Sequence, residues 1–207
     1  MNKQAIRVAL FWTGAQLSVR LPPWEWIFVF GIKYFSRSQG QWLAEVCHMG
    51  VAFEFADGLK EIHEALFREG WTIKPFEKLE HFKARDPRNV VIVEWLDLPT
   101  DSVQRMYERS FSWQGMRYDN RLISSFALAR SIVGRSSGLP VKDDPLRGVC
   151  SELASRLIYS EAPFWDLRAR SMPWNKEGDG FASVAPQDAL NRYRELRAAR
   201  MLNLACE

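Results

Sequence analysis

Short apolar runs, bounded by polar and turn-forming residues, fill the first half of the chain. Five of them cover residues 5–12, 46–55, 59–67, 71–74 and 90–96. Their length and their content of valine, isoleucine and aromatic residues predict β-strands. The turn sequence Ala56-Asp57-Gly58 separates the second run from the third, which predicts a β-hairpin. The run 90–96 is apolar at nearly every position and therefore predicts a central strand.

Apolar positions recur at helical spacing in the second half of the chain and in one earlier segment. They predict helices over residues 24–35, 100–113, 120–133, 149–159 and 186–200. The segment 24–35 contains the most apolar stretch, residues 24–30, and predicts a buried helix. The polar stretch 77–89 predicts a surface connection or short helix. Residues 161–182 predict an ordered loop or lid. Because strands precede helices and the length suits one core, we expect a single α+β domain over residues 1–207.

Composition and charge narrow the range of partners. The chain is 47% hydrophobic and 26% charged, which is typical of a globular protein. Its net charge is only +3 and its charges are interspersed, so we expect no nucleic-acid partner. No apolar run approaches the roughly 20 residues of a membrane span, and the N-terminus lacks a signal-peptide pattern. We therefore expect a cytoplasmic protein. The segment 24–30 is the candidate for a membrane contact, but we expect it to be buried instead.

The number and spacing of the cysteines predict free thiols rather than disulfide bonds or a metal site. There are three of them, Cys47, Cys150 and Cys206, without regular spacing, which argues against a disulfide framework and favours a reducing compartment. Cys47 and His48 are neighbours on a strand and point to opposite faces, so they cannot share one metal ion. No CxxC or HExxH motif occurs, and no loop has a phosphate-binding pattern. We expect neither a metal nor another cofactor.

Cys150 stands where a loop is predicted to become a helix. The preceding residues include Pro140, Pro145 and Gly148, which disfavour helix, and helical spacing begins at Ser151. Unpaired backbone amides at the start of a helix carry partial positive charge, which favours the thiolate. Cys150 is therefore the candidate nucleophile.

A nucleophilic thiol needs a base, and His48 is the candidate. The chain has three histidines, His48, His63 and His81. Strand alternation places His48 on one face with Gly50 and other small residues, which predicts that a helix can approach the sheet on that face, beside the imidazole. A cysteine at a helix start facing such a histidine is a typical Cys–His pair.

A third polar group usually orients the histidine through its other ring nitrogen, and the hairpin offers two candidates. If Ala56 pairs with Leu59 across a two-residue turn, His63 shares the face of His48. If Phe55 pairs with Leu59 across a three-residue loop, with Gly58 left-handed, Glu64 shares that face instead. The residues alone leave both registers open.

The order of the motifs resembles that of a known enzyme family. Three of them are His48-Met49-Gly50, Ile62-His63-Glu64-Ala65 and Cys150-Ser151-Glu152-Leu153. Two more flank the cysteine, Gly115-x-x-Tyr118-Asp119 upstream and Ala185-Pro186-x-Asp188-Ala189-Leu190 downstream. Together they resemble the circularly permuted branch of the NlpC-type papain-like cysteine hydrolases, the YiiX-like and lecithin:retinol acyltransferase-like group. In this branch the histidine strand precedes the nucleophile helix, as it does here.

The resemblance implies a permuted papain-like fold and the function of a cysteine hydrolase that cleaves amide or ester bonds through a thioester. It implies Cys150 as nucleophile, His48 as general base and Glu64, with His63 as runner-up, as the residue that orients His48. The substrates that it implies are peptide-like or acyl compounds. Two alternatives are a lipid acyltransferase or thioesterase at a membrane surface, and a binding module without catalysis on the same fold.

Overall fold

The computed structural model of the protein describes residues 3–17, 23–36, 42–119, 147–162, 165 and 185–205. The strands are β1 (Ala5–Gly14), β2 (His48–Phe55), β3 (Lys60–Leu66), β4 (Gly70–Pro75), β5 (Val90–Leu96), β6 (Arg117–Tyr118) and β7 (Arg147–Gly148). The helices are α1 (Pro23–Ser36), α2 (Glu77–Arg85), α3 (Thr100–Ser112), α4 (Cys150–Tyr159) and α5 (Pro186–Ala205). The predicted α+β class is confirmed. The helix predicted over 120–133 and most of the loop predicted over 161–182 lie outside the described residues.

The first five strands form one antiparallel sheet in the order β4-β3-β2-β1-β5. The prediction that residues 90–96 form a central strand is therefore wrong, because β5 pairs with β1 at an edge of the described sheet. The nearly continuous apolar run suggested a central strand because both faces of β5 are partly covered. Trp95 stacks on Phe76 on one face, and Glu94 accepts a hydrogen bond from Tyr193 of α5 on the other. The central strand of the five is β2, which carries His48.

Helices cover the two faces of the sheet unequally. Residues of α3, α4 and α5 pack with Leu10, Trp12, Met49 and Val51 in the larger core. The opposite face has a smaller core in which Leu79 of α2 packs with the remaining buried side chains, Ala9, Phe11, Ala52 and Ile62. Burial of this apolar area stabilises the fold at about 25 cal/mol per Å². The two faces alternate along β2, so consecutive residues of that strand contact different helices.

Helix α1 lies across the end of the sheet where β2 begins. The Lys33 Nζ donates a hydrogen bond to the Ala15 carbonyl at 3.0 Å, and the Ala44 amide donates to the Lys33 carbonyl at 2.8 Å. The prediction of a buried helix is wrong for part of its surface, since Ile27 is 68% exposed while Lys33 is buried. None of the described helices combines the length and the apolar character that a membrane span requires.

Candidate active site

Cys150 is the first residue of α4, as the sequence predicts. Val149 before it is extended, with φ −95° and ψ 163°, so the chain changes from extended to helical at the cysteine. The Glu152 carboxylate accepts a hydrogen bond from the Val149 amide at 3.2 Å and pairs with Arg156 at 2.9 Å. These contacts hold the start of the helix in place. The Ser151 backbone amide of its first turn hydrogen-bonds to the thiol.

The register of the hairpin selects Glu64 rather than His63 as the partner of His48. The Phe55 amide donates to the Leu59 carbonyl at 3.0 Å, and Gly58 adopts a left-handed φ of 82°. This three-residue loop pairs Gly50 with Glu64 across the two strands. His48 is then the diagonal neighbour of Glu64 on the same face. The His48 Nε2 lies 2.8 Å from the Glu64 Oε2.

His63 points to the other face of the sheet and is fully buried. Its Nδ1 lies 2.6 Å from the Ser110 Oγ, and its ring packs against Phe53 and Tyr107. This histidine, a serine and the nearby Glu61 have the residue types of a hydrolase triad. However, His63 and Ser110 are completely buried in the larger core, so we interpret the group as structural.

Cys150 and His48 meet although α4 packs on the face opposite to His48. The prediction that the cysteine helix approaches on the face of His48 is therefore wrong, and the helix on that face is α2. The two residues meet because each is the first residue of its element, at the same end of the sheet. The Cys150 thiol hydrogen-bonds to His48 and to the Met49 backbone amide. Since Nε2 of His48 faces Glu64, Nδ1 is the nitrogen left for the sulfur.

Gly50 has a different role from the one that the sequence suggested. A Cβ atom on this residue would stand 2.5 Å from the Phe11 ring and 2.7 Å from the His63 carbonyl. The missing side chain makes room for the Phe11 ring, whose centroid lies 6.1 Å from that of His48. The small residue beside His48 thus admits an aromatic ring from β1, which supports the imidazole from the side.

The electrostatics of the three residues favour a thiolate and a protonated imidazole. Burial opposes ionisation of the Cys150 thiol, but the charge and the hydrogen bond of His48 lower the pKa of Cys150 below the usual range. Burial also disfavours protonated His48, yet Cys150 and Glu64 together raise the pKa of His48 well above its ordinary value. Glu64 is buried too, but its contacts with His48 and Lys78 lower its pKa to about 2.

Tyr118 adds a fourth polar group that the sequence left without a role. It lies on β6, whose partner β7 leads directly into α4. Its phenol hydrogen-bonds to the Cys150 sulfur, and burial together with this neighbour raises the pKa of Tyr118 well above its ordinary value. The phenol therefore keeps its proton at neutral pH and acts as a donor. The motif Gly115-x-x-Tyr118-Asp119 was the only signal for it in the sequence.

Lys78 was not predicted as part of the site. Its Nζ lies 2.9 Å from the Glu64 Oε1, so each oxygen of that buried carboxylate has its own partner. No sequence pattern indicated this contact, because it depends on how α2 lies over the sheet. The polar stretch 77–89, one of whose two predicted forms was a short helix, thus contributes a cation to the site.

Among the described residues, no group of three histidine, cysteine or acidic side chains is arranged to hold a metal ion. Comparison with known proteins adds no identification: no protein-family model matches this chain, and no curated protein matches it. The case for a function therefore depends on the geometry of Cys150, His48 and Glu64.

Proposed function

We propose that the protein is a cysteine hydrolase with a permuted papain-like fold, in which Cys150 is the nucleophile. The observation that carries the proposal is the relay Cys150–His48–Glu64, with a His48–Glu64 distance of 2.8 Å and a thiol hydrogen-bonded to the imidazole. Three polar residues from two strands and a helix start converge on one buried point. Such a thiol–imidazole–acid arrangement is the recurring solution for acyl transfer by cysteine.

The proposed reaction has two steps. The Cys150 thiolate attacks the carbonyl carbon of an amide or ester, and His48 gives its proton to the departing amine or alcohol, which leaves a thioester. Neutral His48 then takes a proton from water, the resulting hydroxide attacks the thioester, and the acid leaves as the thiolate reforms. Glu64 keeps the imidazole oriented and stabilises its protonated form.

The oxyanion of each tetrahedral intermediate needs hydrogen-bond donors. The backbone amide of Cys150, at the start of α4, is one candidate. The protonated Tyr118 phenol, which already contacts the sulfur, is the second. Removal of one such donor typically costs 10²–10³-fold in rate, so we expect Tyr118→Phe to lower turnover by about that factor while Cys150 remains reactive.

The alkylation rate of Cys150 tests the proposal. Cys47→Ala and Cys206→Ala leave it as the one thiol of the chain. In this background we expect the alkylation of Cys150 by iodoacetamide to reach its plateau at a lower pH than that of an ordinary thiol. His48→Ala should restore the dependence of an ordinary thiol with a pKa near 8.5, and the control His81→Ala, on the exposed side of α2, should change nothing. Equal profiles in all three proteins would contradict the proposal and leave a binding module.

The same variants detect the covalent intermediate. A p-nitrophenyl ester should add one acyl group to Cys150, visible by mass spectrometry and removable with hydroxylamine. Cys150→Ala should remain unmodified. If the intact site is acylated but never releases the acid, the protein transfers acyl groups to an acceptor other than water.

One observation favours a lipid substrate as the second candidate. Ile27 is 68% and Trp42 is 74% exposed, and the ring of Tyr34 contacts that of Trp42. These residues lie on α1 and on the segment that leads directly into His48. Aromatic and apolar side chains of this kind insert into a membrane interface. Flotation with anionic liposomes should carry the wild type but not a Ile27→Glu/Trp42→Glu variant; no flotation of the wild type would favour peptide-like substrates.

A further inference from the structure

The Glu64 carboxylate is shared between two cations, and this sharing has a consequence for His48. One oxygen faces the His48 Nε2 at 2.8 Å, and the other accepts from the Lys78 Nζ at 2.9 Å. Glu64 has 5% of its side chain exposed and His48 has 20%, whereas Lys78 has 44%. The lysine thus contacts from the solvent side a carboxylate that is otherwise buried in the protein.

From this geometry we propose that Lys78 is a positioning residue that limits, through Glu64, how firmly His48 holds its proton. The inference rests on the proposed function, because it concerns the base of the same relay. A carboxylate bound only to His48 would stabilise the protonated imidazole with its full negative charge. A second cation at its other oxygen draws part of that charge away and fixes the plane of the carboxylate.

The limit matters because His48 has opposite tasks in the two steps. In the first step it must release a proton to the leaving group, and in the second it must be neutral to activate water. A histidine held too firmly in its protonated form slows both steps at neutral pH. The neutral amide that many cysteine enzymes use at this position avoids the problem; here Lys78 moderates a full carboxylate instead.

Other charged and titratable groups near His48 come from several elements. Cys150 of α4 hydrogen-bonds to its imidazole, and Tyr118 of β6 hydrogen-bonds to that sulfur. The buried Cys47 directly precedes β2 and interacts with His48, and Lys33 of α1 interacts with Cys47. The ring of Phe11 from β1 covers one side without a charge. Among the described residues, Lys78 is the cation besides His48 that pairs with Glu64.

The titration of His48, followed by NMR of the imidazole rings, tests the inference. The chain has only three histidines, so His63→Gln and His81→Gln variants assign the signals. Cys150→Ser serves as the background, because it removes the thiolate and leaves the carboxylate side to determine the pKa. Lys78→Met removes a positive charge and should raise the His48 pKa by about half a pH unit, given partial screening by solvent. Lys78→Arg should restore the original value.

The control removes an equivalent charge elsewhere. Lys60 is 37% exposed and pairs with Glu54 at 3.6 Å near the opposite end of β2. Lys60→Met should leave the His48 titration within about 0.1 pH unit, since a surface charge more than a Debye length away is screened. If Lys60→Met and Lys78→Met shift His48 equally, or neither shifts it, the inference is wrong.

A double-variant cycle decides whether Lys78 acts through Glu64. In the Glu64→Gln background, Lys78→Met should shift His48 by less than half of its effect in the parent protein. An undiminished shift would mean that Lys78 acts on the imidazole directly, which overturns a positioning role. Lys78→Gln replaces Lys78→Met if the latter unfolds, with the thermal midpoint measured for each variant.

The titration remains informative if the proposed function fails, because it uses a protein without Cys150. An unreactive Cys150 in the wild type would end the hydrolase proposal while the His48 shift still shows whether Lys78 positions Glu64. Conversely, a reactive Cys150 with no Lys78 effect would preserve the hydrolase proposal and remove Lys78 from the site. In the active protein, the apparent pKa in the pH–rate profile of thioester hydrolysis should be higher by the same half unit in Lys78→Met.

Discussion

Gly50→Ala tests the packing that supports the imidazole. An added Cβ would stand 2.5 Å from Phe11 Cζ and 2.6 Å from its Cε1, against ordinary contacts of about 3.5–4.0 Å. It would also stand 2.7 Å from the His63 carbonyl, which belongs to the neighbouring strand and cannot rotate away. The Phe11 ring must therefore move by about 1 Å in a core that is close-packed.

Overpacking of this kind costs typically 1–3 kcal/mol. Both obstacles act at once here, so we expect Gly50→Ala to lower the free energy of unfolding by about 2 kcal/mol. For a chain of this length the thermal midpoint should fall by about 4–8 °C. Because Phe11 also contacts His48, the same variant should change the ring signals of His48 and slow the alkylation of Cys150.

Gly31→Ala provides the matched control. Gly31 lies within α1, and an added Cβ would meet nothing within 4 Å. Alanine is the better helix former by about 0.8–1.0 kcal/mol, so the identical substitution should stabilise the protein there. Urea unfolding of both variants measures the difference. Our account of Gly50 would be refuted by a Gly50→Ala protein that unfolds within 0.5 kcal/mol of the wild type, a margin typical of unstrained surface changes, with unchanged Cys150 reactivity.

Two further predictions concern buried charged and titratable groups. Burial lowers the pKa of His63, so at mildly acidic pH this histidine is protonated in the unfolded chain but neutral in the folded one. The free energy of unfolding should therefore decrease as the pH falls through about 6.5. Urea unfolding at pH 7.5 and 5.5 should show this decline in the wild type and in the exposed-site control His81→Gln but less of it in His63→Gln; parallel declines in all three would contradict it. Glu152→Ala removes both the cap of α4 and the buried pair with Arg156, and should cost about 3 kcal/mol at neutral pH. A loss below about 1 kcal/mol, the usual value of an exposed pair, would show that neither contact holds the helix start.

The hairpin shows where prediction from sequence stopped. The apolar runs on either side of Ala56-Asp57-Gly58 predicted two paired strands, and the structure has them as β2 and β3. A two-residue turn and a three-residue loop both fitted the alternation of apolar and polar residues. They differ by one backbone hydrogen bond and one left-handed glycine, which that alternation does not encode. That single residue of register decides whether Glu64 or His63 faces His48. The resemblance to a family favoured Glu64, and the loop geometry brings it there.

Local signals were sufficient to place Cys150 at a helix start and insufficient to predict the residues around it. Cys150 at the start of a helix and His48 at the start of a strand follow from breaker residues and periodicity, which act over a few neighbouring positions. The contacts of Lys78 and Tyr118 join segments that are far apart in the chain. Such contacts depend on the angle at which elements pack, and no pattern within either segment encodes that angle.

The sequence by itself determined the five long strands and four of the five described helices, that the class is α+β, and that a thiol begins α4. Only the tertiary structure decided that β5 lies at an edge, that Phe11 fills the space above Gly50, and that α4 reaches His48 from the opposite face of the sheet. The physical reason is range. Backbone preferences and amphipathic periodicity act between near neighbours, whereas edges, registers and shared carboxylates arise from the packing of the whole chain around one core.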